Sequence, residues 1–203
     1  MGEGQQGESD HKRLLEPTSK VKMPLQVIGK AKCPRCFKGL NMKLLPVVYN
    51  GQTNVWMTCD ILHAWFHHSF VPTVRDELSK LGLLPKAVLV LDNCPAHPEA
   101  EELVSDDGNI FAHFLPPNVT SLIQPMDQGV LVALKRRYKR KLLHRLIIEE
   151  ENGASIVDFF KSVNTTVVVE MTADSWDEIR ASTLRKSWRK IVPMQAADPQ
   201  TDQ

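Results

Sequence analysis

"KAVLVLDNCPAH", Lys86 to His97, decides how the rest of the chain is read. The unbroken apolar run from Ala87 to Leu91 is short and β-branched enough for a core strand, and its continuity suits one covered on both faces. It ends on a carboxylate, Asp92, with Asn93, Pro95 and His97 close behind. Two readings compete at that tip. Open α/β sheets carry their ligand sites just beyond the carboxyl ends of strands, which would make Asp92 a chemical group. Asp, Asn and Pro are also ordinary turn formers, which would make it punctuation. These residues alone leave both open.

Working downstream, "PEAEELV" reads as a short helix with acids in its first turn, where the helix dipole favours them. "NIFAHFLPP" reads as a second strand stopped by Pro116 and Pro117. Strand, helix and strand in alternation indicate a parallel α/β unit. "NVTSLIQPMDQGVLVALKRRYKRKLL" then begins as a loop and becomes a long helix near Asp127, with Val130, Leu134, Tyr138 and Leu142 four apart on its buried side. Asp127 at that start fits a capping role as well as a chemical one. After the Asn152–Gly153 break come a helix from about Ile156 and a segment whose Trp176, Ile179, Leu184, Trp188 and Ile191 suit the core of a small helical appendage.

Upstream, "MPLQVIG" is a short strand, Gly29 to Gly39 a basic loop, and "LLPVVY" an extended piece that Pro46 pushes toward a sheet edge. Thr58 is a good N-cap for "CDILHAWFHHSFV", which places Ile61, Leu62, Trp65, Phe66 and Phe70 on one face. Pro72 begins or kinks a continuation that Gly82 ends. The expected organisation is a polar tail over 1–22, an α/β domain over 23–150, a helical appendage over 151–192 and a loose tail over 193–203.

The chain has 203 residues, enough for one medium domain. Its 25 basic and 24 acidic side chains leave a formal charge of +1, so net charge selects no partner. The distribution is more telling. "KRRYKRKLLHR" carries Lys135, Arg136, Arg137, Lys139, Arg140, Lys141 and Arg145 with no acid among them, while acids gather at Glu99 to Asp107 and at Glu149 to Glu151. A basic helix of this kind is either a sequence-independent phosphate surface or a solvated face. No apolar run reaches the roughly 20 residues needed to cross a bilayer, nor does the N-terminus carry a signal-peptide core. Four cysteines point to reduced intracellular thiols. Cys33 and Cys36, with Cys59, His63 and His67 spaced by four, raise a zinc site. A second CxxC or a finger-spaced histidine pair is missing, so packing roles are expected for them.

Taken together, "LPVVYN", "WMTCDILHAWFHHSFVP", "LVLDNCPAH", "FLPPNVTSLIQPMDQGV" and "STLRKSWRKI" resemble the DDE superfamily endonuclease domain of transposase-derived proteins, in the Jerky and Tigger branch of the pogo group. The resemblance spans about Met23 to Val192. It implies an RNase H-like fold, a mixed sheet flanked by helices, in which three acids hold two divalent ions, usually Mg²⁺ or else Mn²⁺. Carried over by motif, the second acid is Asp92 and the third Asp127. Hard cations prefer such oxygen ligands, and a pair of them can activate a nucleophile and stabilise a leaving oxygen in phosphoryl transfer. Asn93, His97, Gln124 and Gln128 would support the two acids.

The family's first acid, which follows an early strand, has no counterpart here, because Asp10 lacks an apolar run before it. The strands that would precede "MPLQVIG" and the helix-turn-helix segments common in the family are also not found. The expectation is therefore a nuclear, transposase-derived protein that binds DNA without sequence preference through the basic helix and is catalytically incomplete. The alternatives are an active metal-dependent endonuclease and a truncated product with no independent role.

Overall fold

A computed structural model describes residues 22–192; the expected tails, 1–22 apart from Lys22 and 193–203, lie outside the described residues. The elements run β1 (Gln26–Gly29), β2 (Val48–Gly51), α1 (Cys59–Trp65), α2 (Val71–Lys80), β3 (Ala87–Leu91), β4 (Ile110–Phe114), α3 (Thr120–Ile123), α4 (Val130–Glu151), α5 (Ile156–Ser162), α6 (Thr165–Asp177) and α7 (Ala181–Ser187). The chain is thus a mixed α/β structure, as its sequence indicates. Among the described residues no helix is long and apolar enough to cross a membrane.

Instead of one mixed sheet, the described strands form two separate parallel pairs. β1 lies beside β2 with Gln26 opposite Val48, and β3 beside β4 with Ala87 opposite Ile110. No described strand bonds the two pairs together. Each pair buries one face against helices. Under β3 and β4, Leu62, Phe66, Phe70, Val71, Leu103, Ile110 and Ala112 form the largest core cluster. Burying each large apolar side chain there stabilises the fold by about 1.5 to 3 kcal/mol. The opposite face is open: Val88 is 48 % exposed and Phe111 39 %, so β3 is not covered on both sides as its apolar run implied. Periodicity cannot distinguish a strand awaiting a second layer from one that has it.

Thr58 caps α1 as expected, its hydroxyl accepting from Ile61 N–H at 3.4 Å. The passage into α2 is made by one widened π turn, Phe66–Phe70. Pro72 has no N–H to return to the carbonyl four residues back, and the wider turn absorbs that loss while Phe66 and Phe70 both stay in the core. Gly82, at φ +66°, ends α2 in a paired closure: its N–H donates to Ser79 O and Leu83 N–H to Leu78 O, each at 2.9 Å.

The acidic "PEAEELV" forms only a single 3₁₀ turn, Ala100–Glu102, closed by a reciprocal Glu99 and Glu102 capping box. After it the chain reverses at Ser105 to Ile110. Asp107 Oδ1 accepts from Ser105 Oγ at 2.6 Å and Asn109 N–H at 3.2 Å, and pairs with Arg75 on α2 at 2.9 Å. Those contacts, the Ser105 hydroxyl foremost, hold the Asp107 carboxyl well below the usual carboxylate range.

Of the segment expected as an appendage, α6 forms a wall of the core. Its Val169 and Ala173 pack with Phe37 and Val47 over β1 and β2. Trp176 and Ile179 close on Val130, the first residue of α4, and the Trp176 indole N–H donates to Met23 O at 3.0 Å. That bond ties the start of the described chain to the end of α6.

Candidate functional site

Asp92 follows the last residue of β3, and its half-exposed carboxylate is paired with one neighbour, His97. The turn is closed by backbone: Cys94 N–H donates to Asp92 O at 3.1 Å and His97 N–H to Cys94 O at 3.0 Å. His97 Nδ1 stands 3.1 Å from Asp92 O and 3.8 Å from Asp92 Oδ1. Both neighbours are acceptors, so Nδ1 carries the proton, and Nε2 of the neutral ring is the acceptor nitrogen. The ring is nearly buried and lies against Phe114 at the end of β4, with centroids 5.9 Å apart. His97 therefore joins the tips of both strands. From the side, the Cys59 thiol donates to Ala96 O at 3.2 Å and ties the start of α1 to this loop. Asn93 is exposed and makes no side-chain hydrogen bond among the described residues, so the turn does not depend on its amide.

Asp127 closes the 3₁₀ turn Pro125–Asp127, with Gln128 and Gly129 between it and α4. The helix is not capped by it. Gly129, at φ +92°, occupies the N-cap, a backbone shape that glycine takes without strain. The exposed Asp127 carboxylate has no partner among the described residues. Its backbone is fixed instead, with Pro125 of the same turn buried and Asp127 N–H donating to Gln124 O at 3.1 Å. Gln128 organises the loop through its side-chain amide, which donates to Ser121 O at 3.2 Å, whereas Gln124 acts through its main chain.

The structure thus joins Asp92 with His97, and Gln128 with the Asp127 loop. No hydrogen bond or ion pair among the described residues joins the Asp92 turn to the Asp127 loop. Among the described residues no three His, Cys, Asp or Glu side chains form a group able to hold a metal ion. Two carboxylates without a third donor among the described residues do not fit a two-metal clamp. The other metal candidates are used differently. His67 bonds to Glu102 O at 3.0 Å and its ring lies tilted against His63, with centroids 4.5 Å apart. Cys36 sits at the start of α6, where the Thr166 hydroxyl and the N–H groups of Thr166 and Thr165 draw its thiol below the ordinary value.

The basic helix is only partly free. Glu178, just past α6, receives Lys141 Nζ at 2.7 Å, Arg140 at 3.3 Å and Arg137 at 3.8 Å. Lys135, Arg136, Lys139 and Arg145 make no ion pair among the described residues. A second basic surface was not singled out from the sequence as a site: Lys30, Lys32, Arg35, Lys38 and Lys43 between β1 and β2 are all exposed and unpaired among the described residues. Its signal was present, since no Asp or Glu occurs from Pro17 to Cys59. Trp56, the first residue of the "WMTCDILHAWFHHSFVP" stretch, is 76 % exposed beside Val55 at φ +58°.

The sequence profile of the DDE superfamily endonucleases matches residues 17–188. The chain belongs to that family. Among curated relatives, the DDE domain is similar to human Tigger transposable element-derived protein 7, 37 % identical over 82 % of this chain and 32 % of the relative. It is similar to the human Jerky protein homolog, 38 % identical over 82 % of this chain and 28 % of the relative. Mouse Tigger transposable element-derived protein 4 is 33 % identical over 85 % of this chain and 28 % of the relative. The DDE chain therefore spans about a third or less of the length of these proteins. The Jerky and Tigger branch is the one its motifs indicate. No solved structure matches it.

Proposed function

We propose that this transposase-derived chain is a nuclear, sequence-independent DNA-binding domain of RNase H-like ancestry whose DDE site is catalytically incomplete. The observation that carries the binding reading is the set of exposed cations without acidic partners, Lys30, Lys32, Arg35, Lys38 and Lys43 together with Lys135, Arg136 and Lys139. Such charges release counterions from a phosphate backbone and read no bases, so affinity falls steeply with salt and little with sequence. Family motif supports Asp92 and Asp127 as the remaining acids of the site, brought near one another and able to hold at most one Mg²⁺ or Mn²⁺, an ion that takes one or two protein carboxylates and keeps its waters.

The test combines binding and cleavage. Labelled duplexes of unrelated sequence should bind with similar affinity, and log affinity should fall linearly with log salt. Supercoiled DNA should stay intact with either metal. Salt-insensitive or strongly sequence-selective binding overturns the binding reading. Metal-dependent nicking lost in both Asp92→Ala and Asp127→Ala overturns catalytic incompleteness and establishes the active-endonuclease alternative.

A further inference from the structure

Along the outside of α4, Val132, Arg136, Lys139, Leu143, Ile147 and Glu150 recur every three or four residues, the spacing that places side chains on one helical face. Every one of them is exposed, Val132 by 58 %, Leu143 by 57 % and Ile147 by 53 %. A shallow groove runs along this face, lined by Arg136, Lys139, Arg140, Leu143, His144 and Ile147. The stripe is ordered in charge: cations at its start, Leu143 near the middle, and Glu150 with neighbouring Glu151 at its end. Neither Arg136 nor Glu150 has an ion-pair partner among the described residues.

We propose that a second copy of this chain covers the stripe, with the two α4 helices crossing antiparallel near Leu143. Reversal makes the pattern self-complementary. With Leu143 facing Leu143 of the other copy, Arg136 lies alongside Glu150 and Lys135 alongside Glu151, and the symmetry repeats both pairs at the opposite end, as an isologous two-fold contact requires. Lys139 then lays its aliphatic stem over Ile147 and keeps its ammonium in water. At about 1.5 Å per residue the overlap from Lys135 to Glu151 is about 24 Å long, and a shallow crossing of about 20° keeps both ends within reach. Nucleic acid fits this face less well, because phosphates offer nothing to Leu143 and Ile147 and are repelled by Glu150 and Glu151. Self-association and DNA therefore compete for Lys135, Arg136 and Lys139, while the exposed cations between β1 and β2 lie on another element and stay available to phosphates in the dimer.

Sedimentation velocity on the purified chain across a concentration series tests this. The expected result is a reversible monomer–dimer equilibrium. Leu143→Asp should abolish the dimer. Lys135→Glu with Arg136→Glu, or Glu150→Arg with Glu151→Arg, should each weaken it by about tenfold or more through like-charge juxtaposition. Combining all four substitutions should restore it. All of these residues are exposed, and circular dichroism of each variant checks its fold. A chain monomeric at every concentration, a dimer that survives Leu143→Asp, a charge-swapped variant that stays weak, or protection of this face by duplex DNA alone would overturn the proposal.

Discussion

Lys141 Nζ lies 2.7 Å from Glu178 Oε1, and the same carboxylate also holds Arg140 and Arg137. One acid thus anchors α4 to the end of α6 and takes up part of the positive charge that the sequence offers to solvent.

That sharing sets a pH dependence. The Lys141 ammonium first, then the other two cations, holds the Glu178 carboxyl below its ordinary value. A depressed folded pKa contributes stability that is present above the unfolded value, about 4.3, and is lost as pH falls through the lower folded one. Glu178→Gln should melt below the native chain at neutral pH, and the gap should close in acid. A gap independent of pH would show that the three pairs contribute nothing.

The same variant has an opposite effect on DNA. Freeing Arg137, Arg140 and Lys141 should tighten duplex binding and steepen its salt dependence, each added phosphate contact raising the slope by about 0.9. An unchanged slope in Glu178→Gln would remove α4 from the binding surface.

Alanine at Lys30, Lys32, Arg35 and Lys38 should weaken binding to unrelated duplexes alike and flatten the salt dependence, because these cations meet phosphates and no base edges. Equal affinity in the quadruple variant would make the β1–β2 connection a solvated loop.

The neutral His97 ring should carry its proton on Nδ1, since both acceptors of Asp92 face that nitrogen. Imidazole ¹⁵N shifts report this directly. A dominant Nε2–H form would mean that the ring does not bridge the strand tips.

Leu103 is fully buried between the capping-box turn and β4. Leu103→Ala should cost about 2 to 5 kcal/mol in a denaturant titration, the usual range for a cavity left by a core leucine. A cost below about 1 kcal/mol would mean that the cluster collapses freely around the gap.

The local signals in the sequence were strong where a single residue sets geometry. Thr58, Gly82 and the Asn152–Gly153 break each mark an element end because capping and positive φ are chemistry of one or two residues. The strands were readable from apolar runs, and so was the parallel pairing of β3 and β4 from alternation. What lay beyond reach depends on packing between distant segments. Nothing local to Glu178 says that three cations on α4 will meet it, and nothing in "AVLVL" says whether one face or two are covered. Asp127 is instructive: its place before a long helix resembles a cap, yet Gly129 takes that position and the carboxylate has no partner among the described residues. Position in a motif marked the residue, and only the backbone path showed what it was not doing.

The division into two parallel pairs leaves β3 with a strand on one side only, while the far edge of β4 is met by the antiparallel Leu103–Ser105 segment. In a parallel pair, the peptide groups of each strand point alternately toward and away from its neighbour. Protection from hydrogen–deuterium exchange should therefore alternate residue by residue along β3 instead of rising to a protected centre, with the slow amides on the side shared with β4, whereas in β4 the outward amides of Ile110 and Ala112 are held by Ser105 Oγ and Leu103 O and should be slow too. Two-stranded sheets are marginal alone, so the slowest exchange in the molecule should come from the helices that cover them. Such a pattern would make α1, α2 and α6 the cooperative units that hold the strands in place, rather than the strands a platform on which the helices rest.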